Sequence, residues 1–169
     1  MRKYFFLLNA TIFGILVPLY ATSVQRLSFE LLVAKAQSIV QGSVVSAQTY
    51  RSADGKLILT NYTVDVEESL KGSSGKTVTF TTVGGRIGNT ILHVSGMPVF
   101  QPGEKAVLFL EQAGAYTTVV GLNQGKFTVS NGEISNSVAG LSFPDGGSGS
   151  PVRMSLDEFK RQVKLRLNR

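Results

Sequence analysis

Hydrophobic and polar positions alternate along most of the chain beyond residue 38, and this pattern is typical of β-strands. In the stretch LILTNYTVDVEESLKG, every second residue from Ile58 to Val66 falls on one face and is mostly apolar. The opposite face carries Leu59 followed by polar residues. A period of two residues predicts a long strand with one buried face and one mostly solvated face.

Similar patterns predict further strands, which are separated by glycine-rich or polar turns. The predicted strands are IVQGSVVSAQTY, KTVTFTTV, TILHV, AVLFLEQ, AYTTVVGL, KFTVS and EIS. AVLFLEQ is continuously apolar, so we expect it to be buried on both faces. Gly42 interrupts the first strand and predicts a bulge or sharp bend. Asp54-Gly55 and Asn131-Gly132 predict tight turns.

The period changes to that of a helix at each end of this strand-rich region. Near the N-terminal end, Ser28 is a suitable N-cap, and we expect Leu31, Leu32 and Ala36 to face the core, with the helix ending near Gln37. At the C-terminal end, Ser155 and Glu158 have the spacing of a capping box. Four apolar residues then form a stripe along this second helix: Leu156, Phe159, Val163 and Leu167.

The apolar stripe predicts that the second helix packs against the rest of the domain. Its opposite face is basic and contains Lys160, Arg161, Lys164 and Arg166. A competing interpretation is therefore a free amphipathic arm that lies on an anionic membrane surface.

These elements predict a mainly β fold, an antiparallel OB-like barrel with a short N-terminal helix and a C-terminal amphipathic helix. A β-sandwich is the alternative. We divide the chain into a signal peptide (1–23), a barrel domain with its helix (24–143), a Gly/Ser linker (144–154) and the C-terminal helix (155–169).

The first residues have the layout of a secretory signal peptide, with Arg2 and Lys3 before an apolar segment from Tyr4 to Val17. Small residues at Ala21 and Ser23 predict cleavage after Ser23, and cleavage after Ala21 is the alternative. The apolar segment is shorter than the roughly 20 residues that span a bilayer, which disfavours a retained anchor. We therefore expect an exported protein, periplasmic or extracellular, with no transmembrane segment after cleavage.

Composition narrows the possible chemistry. The chain has no cysteine, which excludes disulfides, thiolate nucleophiles and Cys-ligated metals. Loss of Arg2 and Lys3 would lower the net charge from +6 to +4. Most aromatic residues fall on the apolar faces of predicted strands, and together with the export signal this argues against nucleic-acid binding.

The stretch FPDGGSGSPVRM resembles the GDSGGP surroundings of the serine nucleophile in trypsin-like proteases, but glycine precedes Ser148 and no base can be assigned. His93 is the single histidine, and we interpret it as a strand residue with one hydrogen-bond partner. Glu67 and Glu68 are neighbours on a strand and should point to opposite faces. We therefore expect no catalytic, cofactor-binding or metal-binding residues, no cofactor, and no enzymatic activity.

The glycine-rich stretch VGGRIGNT is the first candidate for a binding loop. It leads into a strand, so no helix N-terminus is available to hold a phosphate. Gly84 and Gly85 are suited to positive φ at a corner of the fold, and they flank Arg86 and Asn89 in a loop that we expect to be mobile.

Several stretches resemble a widespread family of exported, uncharacterised bacterial proteins: LSFELLVAKAQSIVQGSVVSA, YTVDVEESLKG, GEKAVLFLE, GLNQGKF and SLDEFK. That family usually carries acidic residues at the positions of Leu31 and Gln37. More distantly, Lys71-Gly72 after a long strand and Gly103-Glu104 before an apolar strand are similar to the netrin-like module, an OB-type barrel of tissue inhibitors of metalloproteinases. Those inhibitors chelate the protease zinc through an N-terminal cysteine, which this chain lacks, so that mechanism does not transfer.

The sequence thus favours an exported, non-enzymatic β-barrel domain that binds a protein or a cell-envelope component. The alternative is an inhibitor of extracellular proteases that acts through a loop.

Overall fold

The computed structural model describes residues 24–72, 75–146 and 151–168. The elements are α1 (Phe29–Lys35), β1 (Ser38–Arg51), β2 (Ile58–Lys71), β3 (Thr77–Val83), β4 (Gly85–Ile87), β5 (Thr90–Leu92), β6 (Lys105–Ala113), β7 (Tyr116–Val119), a 3₁₀ turn (Leu122–Gly125), β8 (Lys126–Ser130), β9 (Glu133–Asn136), β10 (Arg153–Ser155) and α2 (Leu156–Leu167). The predicted mainly β, antiparallel fold with two helices is confirmed.

One antiparallel sheet contains all the strands except β4 and β5, which pair with each other as a separate hairpin. The hydrogen-bonded order is β10–β9–β8–β6–β1–β2–β3, and β7 continues along the same edge of β6 as β8. β3 lies beside β7, but no backbone ladder between them is present in the described residues.

Two apolar clusters lie on opposite faces of the sheet. The helix-side core is formed by Leu32, Val33, Ala36, Ile39, Leu70, Val107, Phe109, Val120, Phe127, Ile134, Phe159 and Val163. The second core is formed by Val40, Val44, Tyr62, Val64, Phe80, Phe100, Ala106, Leu108, Leu110 and Val119. β6 contributes alternate residues to both clusters, which confirms that this strand is buried on both faces.

The alternation predicted for β2 is confirmed on its apolar face, where Ile58, Thr60, Tyr62 and Val64 are buried. The prediction for Leu59 is wrong, because this residue lies on the face predicted to be solvated and is nevertheless buried. Leu59 lines a cleft together with residues that come from distant parts of the chain.

α1 begins as predicted, because the Ser28 hydroxyl accepts a hydrogen bond from the Leu31 backbone N–H. Leu32 and Ala36 face the core, but the expectation for Leu31 is wrong, since its side chain is 42% exposed. Val33 occupies the core in its place. α1 ends at Lys35, where the Lys71 ammonium donates a hydrogen bond to the Val33 carbonyl at 2.7 Å.

α2 packs its stripe against the sheet: Phe159 and Val163 are fully buried, whereas Leu167 is exposed. Ser155 caps the helix by accepting from the Glu158 backbone N–H. The end of the predicted linker is more ordered than expected, because Met154 lies in β10, which pairs with β9. Two apolar side chains of this segment, Val152 and Met154, pack on the helix-side core. This contact holds the chain in place just before α2 begins.

Two predictions fall outside the described residues, namely the signal peptide at 1–23 and the serines at 148 and 150. Among the residues that the structure does describe, neither helix has the length and apolar character needed to cross a membrane.

Candidate functional site

An apolar cleft of about 470 Å³ opens on the sheet where β3 approaches β7. Its lining consists of Ser52, Leu57, Leu59, Thr81, Thr82, Val83, Met97, Glu111, Ala113, Tyr116, Thr118, Val119, Gly121 and Leu122. The volume lies within the range of about 300–1,000 Å³ that is usual for ligand pockets, and a mainly apolar lining is also usual. The cleft is therefore the principal candidate site in the described part of the chain.

The direction of the strands explains why the cleft forms at this place. The pairings β3–β2, β2–β1, β1–β6 and β6–β7 are all antiparallel, so β3 and β7 run in the same direction. Because no backbone ladder joins β3 to β7, the two strands are not held at pairing distance along the seam between them. This leaves space for a cleft between their side chains. The turn between β1 and β2 supplies Ser52 and Leu57 to the lining, and the strand ends on either side of the β6–β7 turn supply Ala113 and Tyr116.

The β1–β2 turn holds Leu57 at the cleft through hydrogen bonds of Ser52. The Ser52 hydroxyl donates to the Asp54 carboxylate at 2.6 Å and accepts from the Leu57 backbone N–H at 2.9 Å. This hydroxyl and the backbone N–H of Lys56 lower the pKa of the Asp54 carboxyl. Leu57 remains 43% exposed, and Tyr116 on the other side of the cleft is 42% exposed.

Two polar side chains of the lining are already hydrogen-bonded within the protein. The Thr81 hydroxyl donates to the amide oxygen of Asn61 at 2.7 Å, and the Ser52 hydroxyl is held in its turn. Glu111, paired across the strands with Thr118, is different: its carboxylate has no hydrogen bond or ion pair within the described residues. The walls can thus bind apolar groups, and one carboxylate is left available.

Leu122 lies in the cleft with its backbone in the left-handed region, at φ 60°. This conformation costs a residue with a side chain about 1–2 kcal/mol. The neighbouring Gln124 is buried, donating to the Gly121 carbonyl and accepting from the Leu27 backbone N–H at 2.8 Å. These contacts fix the segment that holds Leu122 in the strained conformation.

The glycine-rich stretch predicted as a binding loop forms the β4–β5 hairpin beside the cleft. Gly84 and Gly85 have φ of 119° and 137°, so the predicted positive φ is confirmed. A Cβ atom on Gly85 would lie 2.6 Å from the Thr60 hydroxyl, which donates to the Gly84 carbonyl at 2.7 Å. The expected mobile loop is therefore a hairpin whose base is tightly packed.

The hairpin divides the four predicted loop residues into two groups. Gly84 and Gly85 line a small cavity of about 60 Å³ that shares Thr82, Val83 and Met97 with the cleft. Arg86 and Asn89 are exposed and line neither cavity. Opposite Arg86 in the hairpin is Ile91, whose side chain is 57% exposed.

The remaining chemical candidates are separated from one another. His93 is exposed just beyond β5, so its interpretation as a strand residue is wrong. Glu67 and Glu68 lie on opposite faces as predicted: Glu67 is 3.0 Å from the Lys105 ammonium, and Glu68 is 2.6 Å from the Lys160 ammonium. Over residues 24–72, 75–146 and 151–168, no group of three potential metal-ligating side chains is found.

Sequence reasoning did not single out Leu57, Met97, Tyr116 or Leu122 as site residues. The only sequence feature that could have indicated them is the position of Leu57 and Tyr116 at the ends of predicted strands, next to turns. No such feature indicates Met97 or Leu122. A search for similar proteins found no matching family model, no matching curated protein and no matching solved structure. The functional argument therefore depends on the geometry of the cleft and of the hairpin beside it.

Proposed function

We propose that this protein is an exported, non-enzymatic domain that binds an apolar group of a protein or cell-envelope component in the cleft between β3 and β7. The main support for this proposal is the apolar cleft itself, which is lined by the half-exposed side chains of Leu57 and Tyr116. Covering these two side chains on binding would remove apolar surface from water, which stabilises a complex by about 25 cal/mol per Å² before ordering costs.

We propose in addition that the sheet corresponds to an OB-like barrel that is open at the β3–β7 seam, as the resemblance to netrin-like modules implies. The support is the arrangement of five strands in the order β1–β2–β3–β7–β6, with β6 paired back to β1. OB folds are partly open five-stranded barrels that bind ligands on strands 2 and 3 and on the loops between strands 1 and 2 and between strands 4 and 5. If the sheet is such a barrel, the cleft would correspond to this ligand-binding position.

The lining favours binding over catalysis and disfavours nucleic acid as the ligand. Its one serine, Ser52, has its hydroxyl committed to the Asp54 carboxylate and the Leu57 backbone, and none of the lining residues is a histidine. None of the lining residues is basic either, whereas single-stranded nucleic acids are bound by grooves with positive charge and aromatic stacking surfaces.

A neutral apolar dye and a cleft variant test this proposal directly. Nile red should bind the wild-type protein with a blue shift and increased fluorescence, and the double variant Leu57→Ser/Tyr116→Ser should lose most of that signal. The matched control is Ile91→Ser, which removes an exposed apolar side chain from the hairpin instead. Equal dye binding by all three proteins would contradict the assignment of the cleft.

The same three proteins can then serve as baits in pull-downs from periplasm or culture medium. We expect one set of envelope or protein partners to be recovered by the wild type and by Ile91→Ser, and to be lost with the cleft variant. Recovery that depends on Ile91 and not on the cleft would move the binding site to the hairpin.

The hairpin supports a second candidate function, the inhibition of extracellular proteases through a loop. The specific observation is the exposed pair Arg86 and Ile91 on a hairpin whose base is held by Gly85 packing against Thr49 and Thr60. A panel of serine proteases and metalloproteases tests this idea. Inhibition that disappears in Arg86→Ala would favour the inhibitor, and unaffected proteases would leave the cleft as the functional site.

A further inference from the structure

The cleft contains one charged group, and it is acidic. Glu111 is the only lining residue of an acidic or basic type, and its carboxylate has no partner among the described residues. The β1–β2 turn, which supplies Ser52 and Leu57 to the lining, also contains Asp54, but this carboxylate accepts a hydrogen bond from Ser52 and lies 3.9 Å from the Lys56 ammonium. The available charge in the cleft is thus a single negative one.

This charge distribution discriminates between possible occupants. An anionic occupant, such as a phospholipid headgroup or a free fatty acid, would meet Glu111 and no basic lining residue. A cationic occupant would gain an ion pair at the edge of an apolar surface, where screening by water is weaker than in bulk solvent. The net charge, +6 for the full chain and +4 after the proposed cleavage, opposes a cation only weakly, because salt screens charges beyond about 8 Å.

We infer that the cleft binds a polypeptide segment of a partner protein, with an apolar side chain between Leu57 and Tyr116 and a lysine or arginine beside Glu111. Proteins provide this combination of an apolar group and a cation on neighbouring residues, whereas a membrane surface that contains anionic lipids has a negative potential and would repel the Glu111 carboxylate. The inference rests on the proposed function, since it names the partner class for the same cleft.

The test uses a capped ten-residue peptide with a fluorescent label and one central lysine flanked by leucine and valine. Two matched peptides carry glutamine or glutamate in place of the lysine. Fluorescence anisotropy gives the affinities, and backbone NMR shifts at Thr118 and Val83 show whether the peptides occupy the cleft. The protein variants are Glu111→Gln and, as a control that removes a carboxylate from a distant exposed strand position, Glu133→Gln.

We expect the lysine peptide to bind the wild type about two- to fivefold more tightly than the glutamine peptide, the range expected for a partly exposed ion pair. The glutamate peptide should bind most weakly. Glu111→Gln should abolish the preference for the lysine peptide over the glutamine peptide, and Glu133→Gln should leave all three affinities unchanged.

The possible results distinguish a failure of this inference from a failure of the proposed function. A lysine preference that persists in Glu111→Gln would overturn the role of Glu111 in selecting the partner. If no peptide shifts the cleft resonances while Nile red still binds there, a peptide partner is wrong and the cleft remains a binding site. If neither the peptides nor the dye bind, both proposals fail.

Discussion

The ring of Phe159 in α2 lies 4.8 Å from the ring of Phe127 in β8, measured between centroids, and both side chains are fully buried. Phe159 also contacts Phe109 and Phe29, so a single residue of the last helix joins α1, the central strand β6 and β8. This contact explains why the basic amphipathic helix is docked on the sheet.

Replacement of Phe159 by alanine should destabilise the domain by about 3–5 kcal/mol, because the lost transfer free energy and the remaining cavity add. Total stabilities are only about 5–15 kcal/mol, so the melting temperature should fall strongly. The control Leu165→Ala, on the same helix but 58% exposed, should change the free energy of unfolding by at most about 0.5 kcal/mol.

A vesicle sedimentation assay on the same variants tests the competing interpretation of α2. If α2 acted as a free arm on anionic membranes, Phe159→Ala would weaken vesicle binding and leave the thermal melt unchanged. That combination of results would refute the docked helix.

The elements that local pattern determines could be predicted from the sequence. Three features were predicted correctly because each depends on residues close together in the sequence. They are the alternation in β2, the burial of β6 on both faces and the N-cap at Ser28. Leu31 and Leu59 were wrongly assigned because their exposure depends on which distant segment covers them. α1 turns Val33 toward the core, and Leu59 shares its cleft with Met97 and Leu122.

The candidate site itself could not be predicted, because it assembles from segments far apart in the sequence. The cleft combines the β1–β2 turn, the end of β3, Met97, and the chain from β6 to the 3₁₀ turn. β5 lies within the predicted strand TILHV, but the three-residue strand β4 is too short for periodicity to reveal it. The hairpin that β4 forms with β5 therefore appeared in the sequence only as a glycine-rich loop leading into a strand.

The ion pair between Glu67 and Lys105 gives a prediction about pH. The Lys105 ammonium, followed by hydrogen bonds from Gln41 and Ser43, holds the pKa of the Glu67 carboxyl below its ordinary value of 4.5. Since the folded pKa is depressed, the stabilisation is present above about pH 4.5 and is lost as the pH falls through the lower, folded value.

Lys105→Met should therefore raise the pKa of Glu67 toward 4.5 in a carboxyl ¹³C NMR titration and reduce the loss of stability at acidic pH. Lys160→Met is the matched control, because it removes the partner of Glu68 on the opposite face. A Glu67 pKa that responds equally to both substitutions would show that general charge, and not the direct contact, lowers it.

The proposed export leads to a prediction about the N-terminus. N-terminal sequencing of protein from its native host should begin at Val24, or at Thr22 if cleavage follows Ala21. Ala21→Arg should block processing after Ser23, because it places a large charged residue where the cleavage site requires a small one. Gln25→Ala is the control and should be processed normally. A native protein that begins at Met1 would overturn the proposed localisation.

Ser148 and Ser150 should behave as ordinary polar residues despite their protease-like surroundings. Replacing each with alanine should change the free energy of unfolding by at most about 0.5 kcal/mol. Neither serine should react with a fluorophosphonate probe, because the only histidine, His93, lies on the exposed chain after β5 and is flanked by no carboxylate in sequence. Labelling of either serine would reopen the possibility of a hydrolase.

Gly42 lies at one of the three register shifts between β1 and β2, and its role can be tested by adding one methyl group. The pairing register between β1 and β2 shifts between Gln41 and Gly42, which confirms the predicted bulge. A Cβ atom on Gly42 would lie 2.2 Å from the Asp65 carbonyl oxygen and 2.7 Å from a methyl carbon of Val64, so the β2 backbone would have to move.

Gly42→Ala should therefore destabilise the protein by about 1–3 kcal/mol, the usual cost of forcing extra volume into a packed region. Gly75→Ala is the matched control, because the nearest atom to its added Cβ would be 3.8 Å away, at ordinary contact distance. Urea unfolding of the two variants measures both effects. Equal stabilities would show that β1 and β2 can separate at the bulge without cost, and the close approach at Gly42 would then not require glycine.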